Sequence, residues 1–201
     1  NCIYATEIRN LGLDGMKAVF HFPECTKEVE IPIPGEHNVL NALAGACVGM
    51  ELGLDVEQIC AGIKKAQTIG GRTNLIHAND MLIIDDCYNA NPISMKASID
   101  VLNMAIGRKV AVLGNMGELG DTAEALHAEV GTYAAEQNVD LVCGIGDLTR
   151  SLVEEASKGA NTEALWFADN ESFIQAIPDI IKDGDNVLVK ASHGMNFPQI
   201  V

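Results

Sequence analysis

Hydrophobic and polar positions alternate in two stretches within the first 34 residues. Met16-Lys17-Ala18-Val19-Phe20-His21-Phe22 and Lys27-Glu28-Val29-Glu30-Ile31-Pro32-Ile33 change side at every step, the period of half-buried strands, and Cys2-Ile3-Tyr4-Ala5-Thr6 reads as a third strand. Gly12-Leu13-Asp14-Gly15 and Phe22-Pro23-Glu24 supply the turns between them. After Pro34-Gly35 the pattern changes. The small-residue run 38–52 predicts a tightly packed helix, and Asp55 is placed to cap a second helix over 56–66. Gly70-Gly71 then interrupts the periodicity, which sets a domain boundary there and divides the chain into 1–69 and 70–201.

From Arg72 onward apolar segments alternate with amphipathic ones. Strands are expected at Met81–Asp85, Lys109–Leu113, Leu141–Ile145, Ala164–Phe167 and Asn186–Lys190, with helices near 93–105, 121–137, 147–157 and 170–181. Apolar strands separated by such helices form βαβ crossovers around a parallel sheet covered on both faces. The expected class is therefore α/β: a Rossmann-like carboxy-terminal domain with a mainly parallel sheet, preceded by a smaller part of short strands and two helices. No internal repeat or low-complexity segment is present.

Composition narrows the partners. The chain has 201 residues, 48% hydrophobic but only 4% aromatic, so Ala, Val, Ile and Leu must build the core. A formal charge of -15 opposes nucleic acid and anionic membranes, which need clustered Lys and Arg. No run approaches the ~20 apolar residues of a membrane span, and the first residues lack the basic and apolar regions of a signal peptide. The six cysteines, Cys2, Cys25, Cys47, Cys60, Cys87 and Cys143, form no C-x-x-C pair and read as reduced thiols of a cytoplasmic protein, expected to be a monomer. Without an initiating Met, the chain reads as a piece of a longer protein.

Candidate chemistry gathers where strands end. Asp85-Asp86 closes an otherwise apolar strand, and adjacent side chains point to opposite faces, so one carboxylate can face a ligand crevice and accept ribose hydroxyls. A solvent-facing strand end is the alternative. Tyr88, Asn89 and Asn91 follow in a loop closed by Pro92. Asn there commonly serves turn chemistry, but two Asn and a Tyr exceed what a turn requires. Asn38 and Asn41 stand one helical turn apart, and each amide offers a donor and an acceptor together, as an adenine edge demands; capping is the alternative for His37 and Asn38. Arg72 follows the Gly pair, where its guanidinium fork could swing with the hinge to meet phosphates, or serve as a surface charge. Gly144-Ile145-Gly146-Asp147 suggests a dinucleotide fingerprint, yet Thr149 holds the third glycine position, so a structural strand-to-helix turn is favoured.

Gly35-Glu36-His37-Asn38-Val39-Leu40-Asn41-Ala42, Asp85-Asp86-Cys87-Tyr88-Asn89-Ala90-Asn91-Pro92 and Leu113-Gly114-Asn115-Met116-Gly117-Glu118-Leu119-Gly120 together resemble the signature of the Mur ligases, ATP-dependent amide-forming enzymes of peptidoglycan synthesis. Tyr88 to Pro92 points to the branch that adds D-alanyl-D-alanine to UDP-N-acetylmuramoyl-tripeptide. The resemblance implies that Asn41 contacts adenine, Asp86 the ATP ribose and Arg72 the nucleotide, with His37 and Asn38 beside them. It also implies that Tyr88, Asn89, Asn91, Ser192 and His193 hold substrate or serve closure between the ATPase and carboxy-terminal domains. Residues 1–69 would then be the end of a truncated central ATPase domain. Two departures stand out: Asn115 replaces the usual Asp, and in Lys190-Ala191-Ser192-His193-Gly194-Met195, His193 replaces the usual Arg. His127 has a family counterpart, with packing the alternative. ATP with Mg²⁺ would be the cofactors, but no Gly-x-x-x-x-Gly-Lys-Ser/Thr phosphate loop occurs in these residues, and the Mg²⁺ ligands would lie with it. The chain alone is therefore expected not to turn over. Alternatives are another Mur ligase or a folylpolyglutamate synthase, a non-catalytic ligand-binding domain, or a dinucleotide oxidoreductase.

Overall fold

A computed structural model describes residues 3–201. Two compact units form, the first ending at Thr68 and the second running Ile69–Val201. In the first, β1 (Tyr4–Asn10), β2 (Met16–His21) and β3 (Thr26–Ile31) make an antiparallel sheet in that order. Met16 pairs with Ile31 and Ala18 with Val29, so the alternation buries Met16, Ala18, Phe20, Val29 and Ile31 on one face. Helices α1 (His37–Glu51) and α2 (Val56–Lys64) cover that face through Val39, Ala46 and Ile59. Asp55 caps α2 as expected, and Gln58 returns the bond to its amide in a capping box.

Two differences from the sequence expectation have local causes. β1 continues past Thr6 to Asn10 across a shift in register between Thr6 and Arg9, where Glu7 takes φ 49°. That polar, bulged stretch carries no clean alternation. β3 stops at Ile31 because Pro32 has no amide to donate. Cys2, placed in the first expected strand, lies outside the described residues.

The second unit is built from β4 (Asn74–Ala78), β5 (Met81–Asp85), α3 (Pro92–Asn103), β6 (Lys109–Gly114), α4 (Ala123–Glu136), β7 (Leu141–Ile145), α5 (Thr149–Ala156), β8 (Glu163–Phe167), α6 (Asn170–Ile180) and β9 (Asn186–Lys190). Their sheet has the order β4-β5-β9-β6-β7-β8, parallel except for β4, which runs antiparallel to β5. β7 and β9 are buried at every position, as a sheet covered on both faces requires. β4 was not expected. It is a partly exposed edge strand with a polar start, turned into β5 at Asn79, which adopts φ 53°.

The last strand enters between β5 and β6. The chain moves outward through α3, α4 and α5 and comes back through α6, and right-handed crossovers in opposite directions place α6 on the opposite face. There Phe173 of α6 packs with Val110, Val112, Val187, Val189 and Phe197. A strand inserted in this way makes the loops leaving β5, β6 and β9 neighbours at the carboxyl edge, the switch point at which open α/β sheets bind ligands. The described cysteines Cys25, Cys47, Cys60, Cys87 and Cys143 are free thiols.

Candidate functional site

Both acids at the end of β5 hold the segment that opens the second unit. Asp85 is buried and accepts the Gly71 amide on Oδ2 at 2.7 Å and the Cys87 thiol on Oδ1 at 2.9 Å. Asp86 accepts the Thr73 amide on Oδ1 at 2.9 Å, and the Ser98 hydroxyl and Lys190 ammonium on Oδ2, each at 2.6 Å. Lys190 also donates to the Asn89 carbonyl at 3.0 Å and the Asp86 carbonyl at 3.4 Å. The side chains of Lys190 and Asp86 are only 3% and 14% exposed, so this pair is largely withdrawn from water and held by several hydrogen bonds.

Arg72 stands between those two pinned amides. Its guanidinium lies 3.9 Å from the centre of the Tyr88 ring, and the other neighbour of that ring is His193, 5.7 Å away and tilted by 47°. The Tyr88 amide donates to the Gly71 carbonyl at 2.9 Å. The backbone of Arg72 is fixed to the second unit on both sides, because the flanking amides have carboxylate partners there.

Ser192 joins the remaining loops. Its hydroxyl accepts the Gly117 amide at 2.7 Å and donates to the Ala90 carbonyl at 3.4 Å. Asn91 is the N-cap of α3: its Oδ1 accepts the Ser94 amide at 2.8 Å, and Ser94 Oγ accepts the Asn91 amide at 3.0 Å. The Asn91 side-chain oxygen thus bonds local backbone, as Asn in such a loop commonly does. Asn89 is exposed, with Oδ1 accepting the Ala90 amide at 2.9 Å. The Gly144–Gly146 segment is the favoured strand-to-helix turn, with the Gly146 carbonyl taken by Thr149 Oγ1 at 2.7 Å and Trp166 Nε1 at 3.0 Å. A crevice of about 930 Å³, lined in part by Asn115, Gly146, Asp169, Asn170, Gln175 and Met195, opens beside these loops.

His127 is fully buried and supports the 115–120 loop from beneath. Its Nε2 accepts the Met116 amide at 2.9 Å while Nδ1 lies 2.6 Å from the Ala123 carbonyl, so the ring is neutral with its proton on Nδ1. Burial lowers its pKa, against a smaller opposing effect of the Ala123 carbonyl. The unfolded chain takes up this proton near pH ~6.5 and the folded chain only below that. His127 thus contributes stability that is complete above ~6.5 and lost as pH falls through the lowered folded value. Denaturant unfolding between pH 7 and 5 should show a decline in wild type that His127→Gln reduces. Equal slopes in both proteins would refute this role.

In the first unit, Asn41 donates Nδ2 to Asn38 Oδ1 at 2.9 Å, and Asn38 donates to the Pro34 carbonyl at 2.8 Å, with His37 Nε2 3.2 Å from its amide nitrogen. The exposed Asn41 amide is thereby held in a fixed plane. Asn38 and Asn41 also line a cavity of about 360 Å³ with Ile31, Ile33, Ala42 and Gly45. The expected residues thus fall into two groups: His37, Asn38 and Asn41 in the first unit, and Arg72, Asp86, Tyr88, Asn89, Asn91, Ser192 and His193 in the second. Sequence reasoning gave no role to Asp85, Lys190, Ser98 or Thr73. A lysine ending the apolar run Asn186-Val187-Leu188-Val189-Lys190 was the available signal, since a buried ammonium requires a partner.

Fold and site together define the second unit as a Rossmann-like α/β unit with its polar loops gathered at the carboxyl edge of the sheet. Residues 71–193 match the family described as Mur ligase, glutamate ligase domain. The UDP-N-acetylmuramoyl-tripeptide–D-alanyl-D-alanine ligase of Bacillus subtilis is 37% identical over 85% of this chain and 38% of its own length. The enzyme of that name from Escherichia coli is 33% identical over 93% of this chain and 41% of its own. Among solved structures, MurF from Acinetobacter baumannii superposes with a TM-score of 0.86 at 32% identity, covering 98% of this chain and 43% of that one. The MurF ligase from Thermotoga maritima in complex with ADP gives 0.80 at 26% identity, covering 98% and 44%. The chain belongs to the Mur ligase family. It spans about two fifths of the length of these relatives.

Proposed function

We propose that the chain is the carboxy-terminal portion of an ATP-dependent ligase that joins D-alanyl-D-alanine to UDP-N-acetylmuramoyl-tripeptide. Residues 1–69 would be the end of its central ATPase domain and 70–201 its carboxy-terminal domain. The carrying observation is the gathering of Arg72, Tyr88, Asn89, Ser192 and His193 on loops locked together at the carboxyl edge of the sheet. The names of the relatives and the ADP in the Thermotoga maritima neighbour support the choice of ligands.

The residues present fit a nucleotide. The fixed Asn41 amide, backed by Asn38 and His37 beside an apolar cavity, suits a flat base with a polar edge. Asp86 has three donors on its two oxygens, which leaves one of a carboxylate's roughly four lone-pair sites for a ribose hydroxyl. Arg72 offers a guanidinium to phosphate. When bound, ATP supplies the phosphoryl group that activates the tripeptide carboxylate. Tyr88, Asn89, Ser192 and His193 then border the dipeptide, with His193 in place of an arginine for its carboxylate, and their part is to bind it and align its amine. Among the described residues no group of three His, Cys, Asp or Glu side chains is arranged to hold a metal, so the reading draws no Mg²⁺ ligand from them. No helix among them is long and apolar enough to cross a membrane. The enzyme is further taken to be cytoplasmic and a monomer.

The test compares amine donors in the full-length gene product. D-alanyl-D-alanine should be joined to the tripeptide, while single amino acids should not. Preference for a single amino acid would assign the chain to a different ligase of the family.

A further inference from the structure

Two supports fix Arg72, and both lead back to one buried ammonium. On the backbone side, Asp86 holds the Thr73 amide next to Arg72, and Thr73 takes φ 50°, a left-handed conformation costly for a β-branched residue. On the side-chain side, the guanidinium rests on the Tyr88 ring, in the loop whose Asn89 carbonyl accepts Lys190. Lys190 Nζ therefore binds the carboxylate that pins Thr73 and the loop that carries Tyr88. An ammonium has three protons, and the three acceptors Asp86 Oδ2, Asp86 O and Asn89 O account for them. Ser98 of α3 completes the knot on the same carboxylate oxygen.

We infer that Lys190 is a positioning residue for Arg72, acting through Asp86 and through the Tyr88–Asn91 loop. This rests on the reading above, in which Arg72 meets the nucleotide phosphates. Lys190 is too buried to touch substrate itself. Its effect is to set where the guanidinium stands, and a displaced phosphate contact weakens nucleotide binding.

The experiment uses the full-length ligase in four forms: wild type, Arg72→Ala, Lys190→Met and the double variant. Lys190→Met should raise the KM for ATP roughly tenfold, with a smaller change in kcat. In the Arg72→Ala background the same substitution should add less than about twofold, because the group it positions is already gone. A role confined to stability would instead multiply with Arg72→Ala, and that result would overturn the inference. So would an unchanged KM in Lys190→Met. Should Lys190→Met fail to fold, Lys190→Gln, which leaves Asp86 in place and keeps a donor beside it, is put through the same cycle. Persistence of its full effect without Arg72 would likewise overturn the inference. Failure of the underlying reading is distinguishable, since wild type would then show no ATP-dependent ligation or Arg72→Ala would leave it intact.

Discussion

Asp86→Ala should destabilise the second unit by about 3–5 kcal/mol, the usual cost of removing one partner from a buried ion pair. Lys190, with its side chain 3% exposed, would keep its charge while losing its carboxylate partner, with little water at hand to compensate. The Thr73 amide and the Ser98 hydroxyl would lose their acceptor at the same time. Exposed pairs such as Lys158 with Glu155 or Arg150 with Asp147 contribute far less, because solvent screens them. Denaturant unfolding without nucleotide isolates this effect from any loss of ribose contact. Adding Lys190→Met to Asp86→Ala should recover part of the loss, since the stranded charge is then gone. Equal stability of Asp86→Ala and wild type would contradict the arrangement.

Gly131→Ala is expected to be comparably damaging, at about 3 kcal/mol or more. Gly131 lies where α4 crosses α5, and a Cβ there would stand 2.0 Å from the Leu152 carbonyl oxygen. That oxygen belongs to backbone, so no rotamer change relieves the clash. The helices must separate, and Val130, Ala134 and Leu152, all fully buried, lose contact. Propensity alone would favour alanine in a helix by up to about 1 kcal/mol, so the sign of the result decides between packing and propensity. A more stable Gly131→Ala protein would mean that the helices do not meet this closely.

Much of the architecture was legible because a parallel sheet covered on both faces writes its strands as continuous apolar runs, as in β6, β7 and β9. β4 was not, because an edge strand carrying Asn74 and His77 needs no such run. The site divides along similar lines. Asp86, Tyr88 and Arg72 were readable from local pattern and family resemblance, whereas the link from Asp86 to Lys190 spans 104 residues and exists only because β9 inserts beside β5. Strand order is decided by packing of the whole sheet, and no local pattern encodes it. Asn91 is the reverse case. Asn91-Pro92-Ile93-Ser94 carries a local cap signature, proline at the first helical position included, and the Asn91 side chain forms that cap.

The most direct test is formation of the pentapeptide product by the full-length gene product from UDP-N-acetylmuramoyl-tripeptide, D-alanyl-D-alanine and ATP, with the 201-residue chain assayed beside it. Product formed by the full-length protein, dependent on ATP and undetectable with the chain alone, is the predicted result. Ligation by the chain alone, or none by the full-length protein, would contradict it.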